Sequence, residues 1–284
     1  MKHVPVLLRE VLTLFEGVEL LTCFDGTLGA GGHASAILKE HPEIKTYIGC
    51  DKDPRALEIA EEVLEPWKSK VKLIRGSYAQ EICQFEGTLD GFLIDIGVSS
   101  MQFDEVDRGF SFKGEAPLDM RMDPSQDLTA EDVIRNYSEE RLARIFFEYG
   151  EETRSRKIAK EIVQRRRKKP IRTTRDLSQI IEACKPKGRL HPATLVFQAL
   201  RIEVNDELGE LQRALEGMTR AMRSQGRAAV ISFHSLEDRI VKNYVRSKKE
   251  ELLILTKKPL VASREEAFKN PRARSAKLRA VEKK

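Results

Sequence analysis

Two glycines and a carboxylate at a fixed distance are the first residues in this chain whose types and spacing suggest chemistry. Gly29-x-Gly31-x-x-Ala34 follows a short apolar run, and Asp51 lies twenty residues beyond Gly31. Glycines in such a turn let a ligand approach the backbone above the end of a strand. An acid closing the next strand accepts hydrogen bonds from ribose hydroxyls. The combination suits a dinucleotide or S-adenosylmethionine. The glycine turn alone would also serve as a tight strand-to-helix connection.

Further candidates sit where two later strands should end. Gly76-Ser77-Tyr78 places an aromatic that can contact an adenine or serve as a half-buried rim residue. Asp95-Ile-Gly-Val-Ser-Ser100 is a small, glycine-containing segment that a second substrate can approach. A nicotinamide enzyme would need a proton-transfer residue paired with a substrate clamp. His33 lies inside the cofactor turn, which is the wrong place, and His234 in Ser232-Phe-His-Ser235 reads as a structural histidine. That disfavours an oxidoreductase.

The elements needed to position these residues are legible. Residues 20–25 read as a short buried strand, 46–50, 71–74 and 91–96 as further strands, and residues 33–40 as a helix. Asp53 is a suitable N-cap and Pro54 a suitable first helical residue, with Leu57, Ala60, Val63 and Leu64 on one face. Alternation at this spacing predicts a doubly wound α/β fold with a parallel sheet. The pattern breaks after about residue 103. Residues 104–126 show no period, and 129–185 look helical throughout. A helix from 207 to about 223 and a strand over 228–233 resume it. The expected organisation is a discontinuous domain over 1–104 and 206–284, with an inserted helical domain over 105–205.

Composition agrees. Of 284 residues, 40% are hydrophobic, enough for a sizeable core, and the net charge is +5. Residues 154–175 carry eleven Lys/Arg against Glu161 alone, and residues 264–284 carry eight against three acids, so the rest of the chain is net acidic. Two basic segments on an acidic body fit a polyanionic partner, or else solvated helix faces. Cys23, Cys50, Cys83 and Cys184 lack metal or redox spacing and read as reduced cytosolic residues. No metal site, signal peptide or membrane span is expected.

Several long blocks occur in order: Asp25-Gly-Thr-Leu-Gly-Ala-Gly-Gly-His33, Asp95-Ile-Gly-Val-Ser-Ser100, Arg108-Gly-Phe-Ser-Phe112, Pro117-Leu-Asp-Met-Arg-Met-Asp123, His191-Pro-Ala-Thr194, Phe197-Gln-Ala-Leu-Arg-Ile202, Ile231-Ser-Phe-His-Ser-Leu-Glu-Asp-Arg239 and Asn270-Pro-Arg-Ala-Arg274. Together they resemble the RsmH (MraW) family over nearly the whole chain. The resemblance implies a bacterial, cytoplasmic enzyme with a Rossmann-like S-adenosylmethionine-dependent methyltransferase fold and an inserted helical domain. It further implies methylation of N4 of a decoding-centre cytidine in 16S rRNA of the small ribosomal subunit, by a monomer or homodimer. Cofactor contacts carried over are Gly31, Gly32, His33, Asp51, Tyr78, Asp95 and Gln102. Leu195 stands where the family pattern leads one to expect Arg.

The chemistry leaves a requirement to be met. A cytosine amino nitrogen is a poor nucleophile because its lone pair is delocalised into the ring. Catalysis therefore needs in-line positioning and acceptors that polarise the amino group. Many amino-methyltransferases resemble one another in an Asp-Pro-Pro-Tyr-type loop, and this chain lacks that aromatic. Asp95 and Ser99 are the candidate catalytic residues. Phe110 and Phe112 are candidate base platforms, or a small core under their loop. Arg165, Arg166, Arg167, Arg272 and Arg274 are candidate RNA contacts. The alternative from another class is a non-catalytic RNA-binding or ribosome-assembly protein on the same fold.

Overall fold

The computed structural model describes residues 5–97, 105–112, 114–186, 188 and 190–284. They form two compact units, one of Met1–Gly97 with Leu208–Lys284 and one of Val98–Glu207.

The first unit is built on a sheet of β1 (Thr22–Asp25), β2 (Thr46–Asp51), β3 (Val71–Arg75), β4 (Leu89–Asp95), β5 (Met222–Ser232), β6 (Leu252–Ile254), β7 (Leu260–Val261) and β8 (Lys277–Lys283). The order is β3-β2-β1-β4-β5-β8-β6, with β7 also on β8. The first five strands pair in parallel. The strands read from the sequence are parallel as expected, and strand β8, not read there, adds an antiparallel edge against β5, β6 and β7. An antiparallel neighbour needs no crossover helix.

Strand β4 is buried along Leu89–Ile94, as a central parallel strand covered on both faces must be. Its side chains alternate between two cores. Phe92 and Ile94 join Phe24, Ile48 and Val230 on one face. Leu93 joins Cys23, Tyr47, Ala229 and Ile231 on the other. The helices follow the same division. Val11 and Phe15 of α1 (Leu8–Phe15), Ile37 and Leu38 of α2 (Gly32–Glu40) and Ala60 of α3 (Pro54–Val63) belong to the Leu93 side. Tyr78 and Ala79 of α4 (Tyr78–Glu81) belong to the Phe92 side. At the start of β4, buried Asp90 accepts from the amides of Leu21 (2.8 Å) and Thr22 (2.6 Å) and pairs with Arg223. This sets β1 against β4 at the end opposite the glycine turn.

The second unit is helical, with α5 (Ala130–Asn136), α6 (Glu139–Glu148), α7 (Ser155–Arg166), α8 (Thr174–Cys184) and α9 (Thr194–Asn205). Thr129 with Asp132, and Thr173 with Asp176, close capping boxes that start α5 and α8. Phe146, Ile158, Ile162, Leu177, Ile181 and Leu200 fill the core between the helices. A Cβ on Gly150 would lie 2.4 Å from the Leu195 carbonyl oxygen, so α6 and the start of α9 can meet only through a glycine. The aperiodic stretch before α5 is ordered by side chains bonding to backbone. Arg108 donates to the carbonyls of Arg121 and Met122, while Asn205 donates to Met120 and accepts from the Met122 amide.

In the first unit, α10 (Glu207–Ala221), α11 (Ser235–Ser247) and α12 (Arg264–Lys269) complete the helices. Leu211, Leu215 and Met218 of α10, with Val241 and Val245 of α11, pack on the Phe92 face. Among the described residues, no helix is long and apolar enough to cross a membrane.

Asp90→Ala should lower stability by about 3 kcal/mol, the scale for removing a charged acceptor shared by two amides. Urea denaturation checks this, and an unchanged midpoint would show that Arg223 and the ladder alone hold β1.

Candidate active site

The glycine turn is the connection from β1 to α2, and its shape follows from contacts that only these residues allow. A Cβ on Gly26 would fall 2.7 Å from Ile94 and 2.8 Å from the Tyr78 Cβ. Gly29 (φ +53°) and Gly31 (φ +78°) hold left-handed conformations that glycine adopts without strain. Thr27 Oγ1 accepts from the Asp95 amide at 2.6 Å, which ties the turn to the end of β4. Asp51 ties it to β2: Oδ2 accepts from the Gly29 amide (2.8 Å) and Oδ1 from the Asp53 amide (2.9 Å). Each oxygen retains a further lone pair for a ligand hydroxyl. Burial pushes the Asp51 carboxyl up to about 6, against the downward pull of those two amides.

Beneath the turn lies Asp25, 2% exposed, with its Oδ2 accepting from the Tyr47 hydroxyl at 3.0 Å. Burial raises this carboxyl to about 6, and the neighbouring His33 opposes that rise. His33, in the first turn of α2, is 7% exposed, and its Nε2 lies 3.7 Å from Asp95 Oδ2. Neither imidazole nitrogen, nor Asp95 Oδ1, has a hydrogen-bond partner among the described residues. Buried polar atoms left this way are costly unless a ligand or water satisfies them.

The structure thus brings Gly31, Gly32, His33, Asp51 and Asp95 to the carboxyl ends of three adjacent strands, β2-β1-β4. Tyr78, expected as an adenine contact or a half-buried rim residue, is 8% exposed and packed in the core with Phe24 and Ile94. Ser99 and Gln102 lie outside the described residues. His234 is structural, as expected: it N-caps α11, with Nδ1 accepting from the Glu237 amide at 3.4 Å. Sequence reasoning missed a rim cluster in which buried Glu210 binds Lys52 Nζ (2.5 Å) and Ser77 Oγ (2.5 Å). Its members come from three distant segments and share no local spacing.

Two of the proposed substrate contacts need correcting. Phe110 is 5% exposed in the helical core and is no platform for a base, because burying it completes the packing under its loop. Arg166 turns inward and donates to the carbonyls of Ile134 (2.5 Å) and Tyr137 (2.7 Å), satisfying the open C-terminal end of α5. Arg165 pairs with Glu161 at 2.8 Å, whereas Arg167 is exposed. Phe112 is partly exposed, stacks on His191 (4.3 Å between centroids, 11° between planes) and lines a groove with Arg175, Gln179 and Glu182. Arg272 and Arg274 lie in the Pro271–Ser275 turn ahead of β8, and Leu195 lies in the first turn of α9. Among the described residues, no cluster of His, Cys, Asp and Glu could hold a metal ion.

A 3-2-1-4-5 parallel sheet with an antiparallel edge, a glycine turn and carboxylates at the strand ends define a Rossmann-like methyltransferase. Two solved structures share the fold with a TM-score of 0.50 each, at 11% and 10% identity: a candidate rRNA-methylase from Clostridium thermocellum and a candidate methyltransferase from Streptococcus mutans in complex with SAH. Each match covers 99% of this chain and 100% of the other. The chain belongs to the MraW methylase family, whose pattern matches residues 1–284. Its relatives include a "Ribosomal RNA small subunit methyltransferase H" from Heliobacterium mobile, 46% identical, and another from Picosynechococcus, 48% identical. These matches cover 99% of this chain and 98% and 96% of the respective relatives. The methyl donor is S-adenosylmethionine. The strand-end residues fit it: a carboxylate with lone pairs to spare for ribose, a glycine-rich turn, and polar atoms on His33 and Asp95 without hydrogen-bond partners among the described residues.

An ionised Asp51 is the stronger acceptor for a hydroxyl, so if it holds the cofactor ribose, affinity should be flat above pH 7 and fall as pH drops through 6, by up to about tenfold per unit. Asp51→Ala should then weaken binding about ten- to hundredfold at pH 8 and remove most of this acid loss. Calorimetric titration between pH 5 and 8 tests this; an affinity flat across the range in the parent protein would contradict it.

Proposed function

We propose that this methylase transfers a methyl group from S-adenosylmethionine to the N4 amino group of a decoding-centre cytidine in 16S rRNA, within the small ribosomal subunit of a bacterial cytoplasm. The first unit is the methyltransferase domain and the second recognises substrate. The names of the relatives support an rRNA substrate, and the ordered sequence blocks support the cytidine. The observation that carries the reaction is the Asp95 carboxylate at the end of β4, with Oδ1 unpartnered among the described residues and His33 at 3.7 Å.

S-adenosylmethionine supplies a methyl already activated on a sulfonium. The task left to the chain is to present the amino nitrogen in line and to stabilise the positive charge it acquires. Asp51 would take the ribose hydroxyls, and the glycines at 29, 31 and 32 would let the cofactor approach the backbone. His33 and Gln102 hold the methionine part. Asp95 would accept an N–H of the cytosine amino group, which localises its lone pair; as the N–CH3 bond forms and the sulfonium S–CH3 bond breaks, its negative charge would balance the developing cation until the surplus N4 proton leaves to solvent. Ser99 supplies a second acceptor. Tyr78 closes the adenine end from below. Phe112 and exposed Arg167 belong to the substrate side. A non-catalytic assembly protein would have no use for the Asp51 and Asp95 arrangement.

Single-turnover methylation of small subunits at saturating cofactor is the test, with the product located by mass spectrometry. Asp95→Asn should lower the rate by about two to three orders of magnitude, as for loss of one preorganised electrostatic partner. Methyl found on another atom, or an unaffected rate, would overturn the reading. On the RNA side, reversing Arg167 and Lys168, both exposed, should reduce the salt slope of RNA binding by up to about one unit per lost contact and leave cofactor affinity unchanged. An unaltered slope would show a solvated helix end. Arg166→Glu should instead lower stability.

A further inference from the structure

The sheet edge opposite the cofactor strands carries a feature that the reaction does not use. Phe268, on the short helix α12, is 83% exposed, the most exposed large apolar side chain among the described residues. Val261 (60%) and Leu260 (41%) are exposed on β7, which pairs with β8 just beyond the turn that follows α12. Cations surround them. Lys257 and Lys258 precede β7, Arg264 opens α12, Lys269 follows Phe268, and Arg274 donates from Nε to the carbonyl of Ala267 at 3.1 Å. Within residues 256–275 there are six Lys/Arg and two acids. Both acids are engaged, Glu265 with Lys269 (2.6 Å) and Glu266 with the Leu7 amide (2.8 Å). Lys257, Lys258 and Arg264 have no ion-pair partner among the described residues.

The segment is fastened rather than loose. Ser263 caps α12 through the Glu266 amide (3.0 Å), and Asn270 Oδ1 accepts from the Arg272 amide (3.2 Å). Ala273 and Ala276 are each 1% exposed in the core of the first unit. A ring held out to water by an anchored element, in a segment that also carries unpaired cations, is the arrangement that takes an unpaired base on its face and nearby phosphates on the ammonium and guanidinium groups.

We propose that Phe268 is a stacking platform for an unpaired base of a single-stranded RNA segment, with Lys257, Lys258 and Arg264 taking the neighbouring phosphates. This rests on the RNA substrate proposed above. Charge decides against a second copy of this chain, because a two-fold contact through this patch would set cation against cation. Three apolar side chains on a six-residue helix and a two-residue strand form a smaller face than the amphipathic helices that lie on lipid.

The experiment uses the full chain with a 16S rRNA fragment carrying the target cytidine in an unpaired strand, and with the same fragment annealed to its complement. Phe268→Leu should weaken binding to the unpaired form about tenfold, on the scale of one lost base–aromatic stack, with an unchanged salt slope and melting temperature. Phe268→Trp should bind like the parent, and neither variant should change binding to the annealed form. Lys257→Glu with Lys258→Glu should lower the salt slope by up to about two units. The platform is refuted if leucine and tryptophan bind alike. It is also refuted if leucine only converts a sedimenting dimer to monomer, or only abolishes binding to phosphatidylserine vesicles. Methylation of small subunits by the parent protein separates the two proposals. A parent that methylates 16S rRNA while Phe268→Leu binds normally loses only the platform. A parent that neither binds nor methylates it loses both.

Discussion

Asp51 holds the Gly29 amide on one carboxylate oxygen and the Asp53 amide on the other, and the geometry of the methyltransferase unit's site depends on that grip. The first contact fixes the turn after β1. The second starts the loop that leads to α3, where Asp53 takes over as N-cap. A carboxylate drawn into this position is raised to about 6, so the fold sustains a charged group where burial disfavours charge. The same is true of Asp25 one strand away, whose carboxyl burial raises to about 6 and which accepts from the Tyr47 hydroxyl. Ribose hydroxyls and a cationic sulfonium are what such a pair of acids would favour, and the sheet brings them together only because β2, β1 and β4 are adjacent and parallel.

Adjacent parallel strands explain why so much of this unit was legible. Strands β1, β2 and β4 are buried through most of their length and read as largely apolar runs, and they end at Asp25, Asp51 and Asp95, residues that announce the turn. Strand β8 was not legible. Its Lys-Leu-Arg-Ala-Val-Glu-Lys run hides a buried centre among charges, and its antiparallel pairing is set by β5 far away in sequence. Tyr78 shows a similar limit. Its position after β3 is evident, but its depth is set by Gly26 and Ile94, which meet it only in three dimensions. The Glu210–Lys52–Ser77 cluster unites segments more than a hundred residues apart, and no local pattern could expose it.

In the helical unit, the sequence predicts the helices but not what binds their connections together. Capping residues Thr129 and Thr173 mark the starts of α5 and α8 in the chain itself. The stretch from Arg108 to Gln126 shows no period because its order comes from Arg108, Arg121 and Asn205 reaching backbone carbonyls and amides, a pattern without a repeat. Phe110 follows from this: once that loop is pinned over the helices, the ring beneath it becomes core.

Counting charge along the chain overstates the surface available to RNA, and the structure shows by how much and why. Arg166 is spent on the open end of α5 and Arg165 on Glu161. Lys277 and Arg279 are spent on Asp238, whose carboxyl they hold below its usual range, and Arg227 on Glu282. A long guanidinium or ammonium stem near a helix end or strand edge is drawn to whichever carbonyl or carboxylate burial has left exposed to it, before any partner arrives. Among the described cations without an ion-pair partner are Arg167 and Lys168 beyond α7, and Lys257, Lys258 and Arg264 around β7 and α12. A polyanion meets these groups, so the charge that matters is the residue left after the fold has satisfied itself. In the methyltransferase unit that residue lies beside exposed apolar rings and side chains rather than alone, and only that combination distinguishes a nucleic-acid surface from a solvated helix face.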